Sequence, residues 1–258
     1  MKLRAALFAI ALGGLIAAPA SAQWLNLKTP GVPRTPDGRV VLDAPAPRTA
    51  DGTPDLSGIW EPDGTKFIRN LAADLKAGDL VFTPEGEALF DARKSGALSK
   101  EEPDANCLPQ GVPKIAAAPA PWRIVQTPGA VFILYEAFTQ WRQIFTDGRA
   151  LPVNPNPAWF GYSTGHWDGD TLVVESTGFN GKAWLDQIGH PSSEALHVTE
   201  RYHRASVGRL DLQITIDDPT MYRKPWTVVE HPRLLPDTEL LEFICLENEK
   251  DNRHMVSR

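Results

Sequence analysis

One predicted hairpin carries a phenol, an imidazole and a carboxylate on the same face. Its turn is predicted at Asp168-Gly169, because a two-residue type I′ turn requires positive φ at both positions. That turn pairs Tyr162 with Glu175 and places His166 on their face, since side chains alternate along a strand. If this face points inward, it is an acid–base site. If it points outward, it is an ordinary polar surface.

A second candidate is an inward carboxylate with an arginine partner. Glu200 alternates in phase with the apolar side chains of its predicted strand, which places it on the buried face. A buried charge requires a partner, and Arg142 lies among apolar neighbours. A four-residue turn over 137–140 would set Arg142 opposite Tyr135. Arg142 is then either an anchor for a ligand carboxylate or oxyanion, or half of a structural ion pair.

The chain contains eight tryptophans, which is a high number for 258 residues. Indoles fill wide β-sheet cores and also stack on flat ligands. Core filling is the default expectation. Trp159 and Trp184 lie in loops on either side of the predicted hairpin and are predicted to line the mouth of a cavity for a hydrophobic or aromatic molecule. Together with Tyr135 and Glu175 they form the predicted ligand-binding set.

Several other kinds of chemistry have no support in the residues. The six histidines show no metal-ligand spacing, so no metal is expected. No glycine-rich phosphate loop and no nucleophile elbow is present, and no bound cofactor is predicted. The formal net charge of −6 and the absence of a Lys/Arg cluster argue against a nucleic-acid partner.

The first 22 residues predict a signal peptide. Lys2 and Arg4 precede an apolar run from Ala5 to Ala18, and Ala20-Ser21-Ala22 is typical of a cleavage site. A retained N-terminal anchor is the alternative. After cleavage the chain begins at Gln23 and carries a formal net charge of −8, and no other segment is long enough to cross a membrane. We therefore expect a periplasmic or secreted protein.

The predicted export bears on the role of the two cysteines. An oxidising compartment favours a disulfide between Cys107 and Cys245. A catalytic thiol and a metal ligand are the alternatives, but neither cysteine lies in a Cys-X-X-Cys motif or a Cys/His pattern.

The remaining pattern predicts a proline-rich arm over 23–54 and one β-barrel domain over 55–258. Helices are predicted over 70–77 and after the Thr83-Pro84-Glu85 start signal. From Leu56 onward nine or ten short strands follow, mostly joined by short turns, with no alternation of strands and helices after Pro121. We predict an all-β fold, an antiparallel meander β-barrel of lipocalin-like type, with a flattened β-sandwich as the alternative.

Several short blocks of sequence, taken in their order along the chain, resemble those of a known family. They are CLPQGVP (107–113), RQIFTDGR (142–149), GHWDGDTLVV (165–174), LHVTER (196–201), TIDDP (215–219), PWT (225–227) and CLEN (245–248). Across roughly residues 55–248 the chain resembles a large family of exported bacterial β-rich proteins of unassigned activity. The resemblance implies an exported β-rich domain with both cysteines in place. Gly58-Ile59-Trp60 also resembles the opening of lipocalin-like barrels.

These observations lead to one functional hypothesis and two alternatives. The first is a barrel that encloses a small apolar or aromatic molecule and acts on it as a cofactor-independent lyase or isomerase. Glu200, His166 and Tyr162 would exchange protons, and Arg142 would stabilise developing negative charge. The second is a non-catalytic carrier of the same molecule, and the third is a rigid interaction module with a filled interior. The sequence does not indicate an oligomeric state.

Overall fold

The computed structural model describes residues 27–245 and residue 247. The predicted signal peptide, 1–22, and the predicted mature N-terminus at Gln23 lie outside the described residues. The strands are β1 (Gly58–Glu61), β2 (Trp122–Thr127), β3 (Ala130–Tyr135), β4 (Gln140–Phe145), β5 (Tyr162–Asp168), β6 (Thr171–Thr177), β7 (His197–Arg204), β8 (Leu210–Asp217), β9 (Trp226–Glu230) and β10 (Arg233–Leu234). The α-helices are α1 (Lys66–Arg69) and α2 (Pro84–Lys94).

All of these strands belong to one sheet, in the order β10-β1-β2-β3-β4-β5-β6-β7-β8-β9. The segment after β9 joins the two ends of the sheet. The Leu234 amide donates to the Gly208 carbonyl at 2.9 Å, and the Leu235 amide donates to the Ile59 carbonyl at 2.8 Å. The sheet is therefore curled into a barrel-like shape, and the predicted all-β class is confirmed.

One strand pair departs from the predicted antiparallel meander. β4 and β5 are parallel and pair at Ile144 with Ser163 and at Phe145 with Thr164. The other paired strands of the sheet are antiparallel. A short hairpin turn imposes antiparallel pairing, whereas the long segment 146–161 lets the chain return to the start of a parallel partner.

The predicted registers of two hairpins are wrong by two positions. Tyr162 pairs with Thr177 rather than with Glu175, because the turn residues are Gly169 and Asp170. In the same way Arg142 pairs with Ile133 rather than with Tyr135, because the turn covers 136–139. A shift of two keeps every side chain on its predicted face, whereas a shift of one would have inverted the faces.

The interior of the barrel is formed by alternate residues of each strand. On β8 the side chains of Leu210, Leu212, Ile214 and Ile216 are fully buried, as the alternation predicted. The largest buried side chains from the other strands are Trp60, Trp122, Tyr202, Tyr135 and Trp226. Core filling is thus the role of most of the indoles on strands.

The two helices differ in how well their sequence predicted them. The start of α2 is confirmed: Thr83 is the N-cap, its hydroxyl accepts the Gly86 amide at 3.0 Å, and Pro84 is the first helical residue. The helix predicted over 70–77 is wrong. α1 ends before Asn70, whose side chain accepts the Ala72 amide in a local turn and so competes with helix continuation.

Two further segments hold the outside of the molecule together. Residues 27–54 run along its surface, where the Leu42 carbonyl accepts the Gly208 amide and Arg34 pairs with Asp237. The predicted disulfide is confirmed, since Cys107 and Cys245 are joined by an S–S bond of 2.00 Å. Within the described ranges, no helix has the length and apolarity needed to cross a membrane.

Candidate functional site

The barrel interior contains a paired guanidinium and carboxylate. Arg142 on β4 donates from Nη1 to Oε1 of Glu200 at 3.0 Å and from Nη2 to Oε2 at 2.5 Å. Glu200 lies on β7, and β5 and β6 separate the two strands in the sheet. Both residues are buried, with exposed fractions of 3% and 0%. The structure therefore brings together the two residues that the sequence proposed as partners.

Three hydroxyl groups complete this cluster. Ser163 accepts from Nε and Nη2 of Arg142 at 3.1 Å, and Ser176 accepts from Nη2 at 2.7 Å. The Tyr202 hydroxyl donates to Oε1 of Glu200 at 2.8 Å. Ser163 and Ser176 are directly opposite each other on β5 and β6. No role was assigned to these serines from the sequence. The missed signal was a pair of small polar residues on an otherwise apolar inward face.

The surroundings of the cluster fix its protonation. Burial, followed by the charge of Glu200, raises the pKa of the Tyr202 phenol well above its usual value. Burial also raises the pKa of Tyr135, and the charge of Arg142 only partly offsets this rise. For Arg142 burial acts in the opposite direction, but Glu200 holds its pKa above the ordinary value. Near neutral pH both phenols are therefore protonated and Arg142 is charged.

The other predicted acid–base residues lie on the opposite side of the sheet. His166 is exposed, and Tyr162 is 38% exposed, with its hydroxyl donating to the Asn156 carbonyl. Glu175 pairs with Nε2 of His197 at 2.6 Å, also on the outer face. The hairpin face therefore points outward, and the structure does not bring Tyr162 or His166 together with Glu200.

An open cleft lies where β4 and β5 separate, and we call it the β4–β5 cleft. The residues around it are Trp141, Arg142, Gln143, Phe145, Arg149, Ala150, Pro152, Phe160, Gly161, Tyr162, Ser163 and Thr164. Its volume is about 480 Å³. The parallel pairing of β4 and β5 covers two residue pairs, so the first part of β4 has no ladder partner on this side. The cleft follows from that divergence, with the segment 146–161 forming its other wall.

Aromatic rings dominate the cleft, with a paired cation above one of them. Trp141 is 61% exposed, a large fraction for an indole. The Arg149 guanidinium lies 3.7 Å from the centroid of the Phe145 ring and also pairs with Asp147 at 2.6 Å. Phe160 stacks on Tyr135 with 6.2 Å between ring centroids, so this wall of the cleft rests on the barrel core.

The predicted mouth residues are placed elsewhere. Trp184 is 4% exposed and lies under the Arg93 guanidinium, 4.7 Å from the ring centroid. Trp159 is half-buried beside Gly111 and does not line the β4–β5 cleft. Tyr135 faces the interior. The rings that do line the cleft were not singled out as ligand-binding residues, because a long connection rather than strand alternation brings them together.

Neither metal sites nor known relatives add an assignment. Among the described residues, no three His, Cys, Asp or Glu side chains are grouped so that they could hold a metal ion. Comparison with protein-family models, curated proteins and solved structures found no match to this chain. The resemblance to exported bacterial proteins therefore stays a prediction.

Proposed function

We propose that this protein binds a small, flat and largely apolar molecule in the β4–β5 cleft. The observation that carries the proposal is the set of four aromatic side chains, Trp141, Phe145, Phe160 and Tyr162, around one open cavity of about 480 Å³. Small-molecule sites are concave and mostly apolar and have volumes of about 300–1,000 Å³. Aromatic walls also favour flat ligands, because rings stack with offset or edge contacts.

The charges around the cleft favour an uncharged ligand. The two cationic residues that line it, Arg142 and Arg149, are already paired with Glu200 and Asp147. A ligand carboxylate would have to compete with those partners. Gln143 and Thr164 supply neutral hydrogen-bonding groups that can orient a polar substituent.

A second candidate is catalysis on the same molecule, as a cofactor-independent lyase or isomerase. Arg142 and Ser163 line the cleft and also belong to the buried cluster, so they connect a bound molecule with Glu200. Binding is the stronger proposal, because Glu200 is fully buried and its two oxygens are already hydrogen-bonded. Retained binding with lost turnover in Glu200→Gln would favour the catalytic candidate.

A fluorescence titration with N-phenyl-1-naphthylamine, a neutral aromatic probe, tests the binding proposal. We expect saturable binding to the wild type. Trp141→Ala and Phe145→Ala should each weaken it at least tenfold, which corresponds to about 1.4 kcal/mol. Val229→Ala is the matched control, because Val229 is an exposed apolar residue outside the cleft. Equal affinity in all four proteins would refute the proposal.

We further propose that the chain is exported to the periplasm or secreted, in keeping with the family that it resembles. The predicted cleavage pattern at Ala20-Ser21-Ala22 supports this, and a disulfide persists in oxidising compartments. Expression of the full chain in a Gram-negative host, followed by N-terminal sequencing of the periplasmic fraction, should yield a protein that begins at Gln23. An intact N-terminus in the membrane fraction would instead identify a retained anchor.

A further inference from the structure

A buried aspartate–histidine pair lies outside the barrel, in the loop between β6 and β7. Oδ2 of Asp186 lies 2.5 Å from Nδ1 of His190, and the two side chains are almost completely buried. Asp186 also accepts three backbone amides, from Leu71 at 2.8 Å, Gly189 at 3.0 Å and His190 at 3.1 Å. Three backbone amides and the imidazole therefore converge on one carboxylate, and both of its oxygens accept hydrogen bonds.

This arrangement determines which ring nitrogen of His190 is available. Both oxygens of Asp186 already accept backbone amides, so Nδ1 supplies the proton of the hydrogen bond that it shares with Oδ2. In the tautomer with its proton on Nδ1, Nε2 has the free lone pair, as in histidines that act as general bases. Across residues 27–245 and 247, no hydrogen bond to Nε2 is formed. The pair is thus oriented for proton transfer at Nε2.

His190 is one of the residues that line a second cavity, which we call the α2 pocket. Its residues are Asn70, Ala72, Leu75, Lys76, Ala77, Gly78, Leu80, Phe90, Lys94, Ile188 and His190, and its volume is about 320 Å³. His190 stacks on Phe90 of α2 with 4.6 Å between ring centroids and approaches Phe82 and Trp226 at 5.9 Å. The ring is therefore held in one orientation by aromatic neighbours as well as by Asp186.

The chemistry of the pocket walls indicates a class of substrate. Leu75, Leu80 and Phe90 supply apolar surface in the pocket that His190 also lines. Lys76 and Lys94 are exposed and contribute positive charge to the same pocket. An apolar pocket with a fixed base and nearby cations suits a small molecule on which negative charge develops as a proton is removed.

We propose that His190 is a general base in the α2 pocket, that Asp186 is its positioning residue, and that the site catalyses proton abstraction from carbon in a small, largely apolar molecule. Nε2 takes the proton, the C–H electron pair forms a new π bond, and the bond to the leaving group breaks with its electrons on the departing atom. The imidazolium then returns its proton to water. This site is separate from the β4–β5 cleft, so either proposal stands if the other fails.

The Kemp elimination of 5-nitrobenzisoxazole measures this chemistry directly. A base removes the C3 proton, a nitrile forms, the N–O bond breaks, and the coloured 2-cyano-4-nitrophenolate is released. We expect saturable turnover, and His190→Gln should lower kcat/KM at least tenfold. His231→Gln is the matched control, because His231 also has Nδ1 against an aspartate, Asp211 at 2.7 Å, but on the surface. Turnover no faster than that of free imidazole, or equal turnover in both variants, overturns the proposal.

Wild-type protein supplies a second test that does not depend on the folding of a variant. Diethyl pyrocarbonate followed by peptide mass spectrometry should modify His190, and saturating 5-nitrobenzisoxazole should protect it while His231 stays reactive. An unmodified His190 beside a modified His231 would show that Nε2 is enclosed, which overturns the proposal.

The role of Asp186 has its own readout. In Asp186→Asn, long-range ¹H–¹⁵N NMR should show that the proton of His190 is no longer confined to Nδ1, and Kemp turnover should fall with it. If Asp186 merely holds the loop, the melting temperature falls but the tautomer does not change, and the positioning role is overturned.

Discussion

Two glutamates point into the same barrel, and their surroundings differ sharply. Glu200 on β7 and Glu230 on β9 are both buried, with exposed fractions of 0% and 2%. Glu200 accepts from Arg142 at both oxygens and from the Tyr202 hydroxyl. Oε1 of Glu230 has no hydrogen-bond partner in the part of the chain that the structure describes. The two carboxyl groups are therefore equally buried, but within the described residues both oxygens of Glu200 accept hydrogen bonds whereas Oε1 of Glu230 does not.

The difference shows that neighbours, rather than depth, determine what a buried carboxyl does. Burial, reinforced by repulsion from Glu200, raises the pKa of Glu230 to about 7, and Lys66 only partly offsets the rise. Burying an ionised carboxylate without a partner costs several kcal/mol, so the group keeps its proton instead. Glu200 is held in place by its hydrogen-bond partners, whereas Glu230 can titrate near neutral pH.

The largest expected effect comes from breaking the paired region. Arg142→Met leaves Glu200 buried without its cation and should lower the free energy of unfolding by about 3–5 kcal/mol, measured by urea denaturation at pH 7. The double variant Arg142→Met/Glu200→Met is the control, and it should recover most of the loss because no charge remains buried. A loss below about 1 kcal/mol in the single variant would show that the ion pair does not stabilise the fold.

Removing the unpaired carboxyl of Glu230 should stabilise the protein, unlike the loss of Arg142, and the size of this effect should depend on pH. The folded protein keeps the proton of Glu230 up to about pH 7, whereas the unfolded chain releases it near pH 4.5. The contribution of Glu230 to the free energy of unfolding therefore falls as the pH rises between these two values, and it is constant above pH 7. Glu230→Gln removes this loss and should stabilise the protein by roughly 3 kcal/mol above pH 7.

Urea denaturation from pH 5 to pH 8 measures this difference. The Glu230→Gln and wild-type curves should separate as the pH rises. Glu200→Gln serves as the matched control and should be less stable than the wild type at pH 7 and above, because it breaks a buried pair. Parallel curves for Glu230→Gln and the wild type would mean that Glu230 titrates alike in the folded and unfolded states.

The smallest effect is expected at an arginine outside the barrel. Nε and Nη1 of Arg93 on α2 are buried without hydrogen-bond partners among the described residues, and burial lowers its pKa to about 10. Arg93→Met keeps the packing against Trp184 and removes the unpaired donors. Its free energy of unfolding should stay within about 1 kcal/mol of the wild type. A loss as large as that of Arg142→Met would show that Arg93 has a hydrogen-bond partner. The contrast between the paired Arg142 and the unpaired Arg93 would then not hold.

The type of sequence signal at each site determined how much of that site could be predicted. The pairing of Glu200 with Arg142 was accessible, because alternation along a strand places a polar residue on the apolar face and a buried charge requires a partner. The hairpin face of Tyr162 and His166 was identified, but its direction was not. Nothing in the sequence of one hairpin states which of its two faces meets the core.

The α2 pocket shows the limit more clearly. Asp186 and His190 lie four positions apart in an irregular loop, where no periodicity relates spacing to proximity. Leu71, whose amide Asp186 accepts, is 115 positions away in sequence. The β4–β5 cleft depends in the same way on a parallel pairing after a long connection. Neither cavity leaves a local pattern in the chain.

By itself the amino-acid sequence determined the all-β class, the alternation that assigns each residue of a strand to one face, the start of α2 and the disulfide partners. These properties depend on local geometry, on residue types and on the presence of one cysteine pair. Only the tertiary structure decided which faces point inward, that β4 and β5 run parallel, and that His190 lies against Asp186 beside Phe90. Those outcomes depend on contacts between distant segments, whose relative positions are set by the packing of the whole barrel rather than by any one stretch of residues.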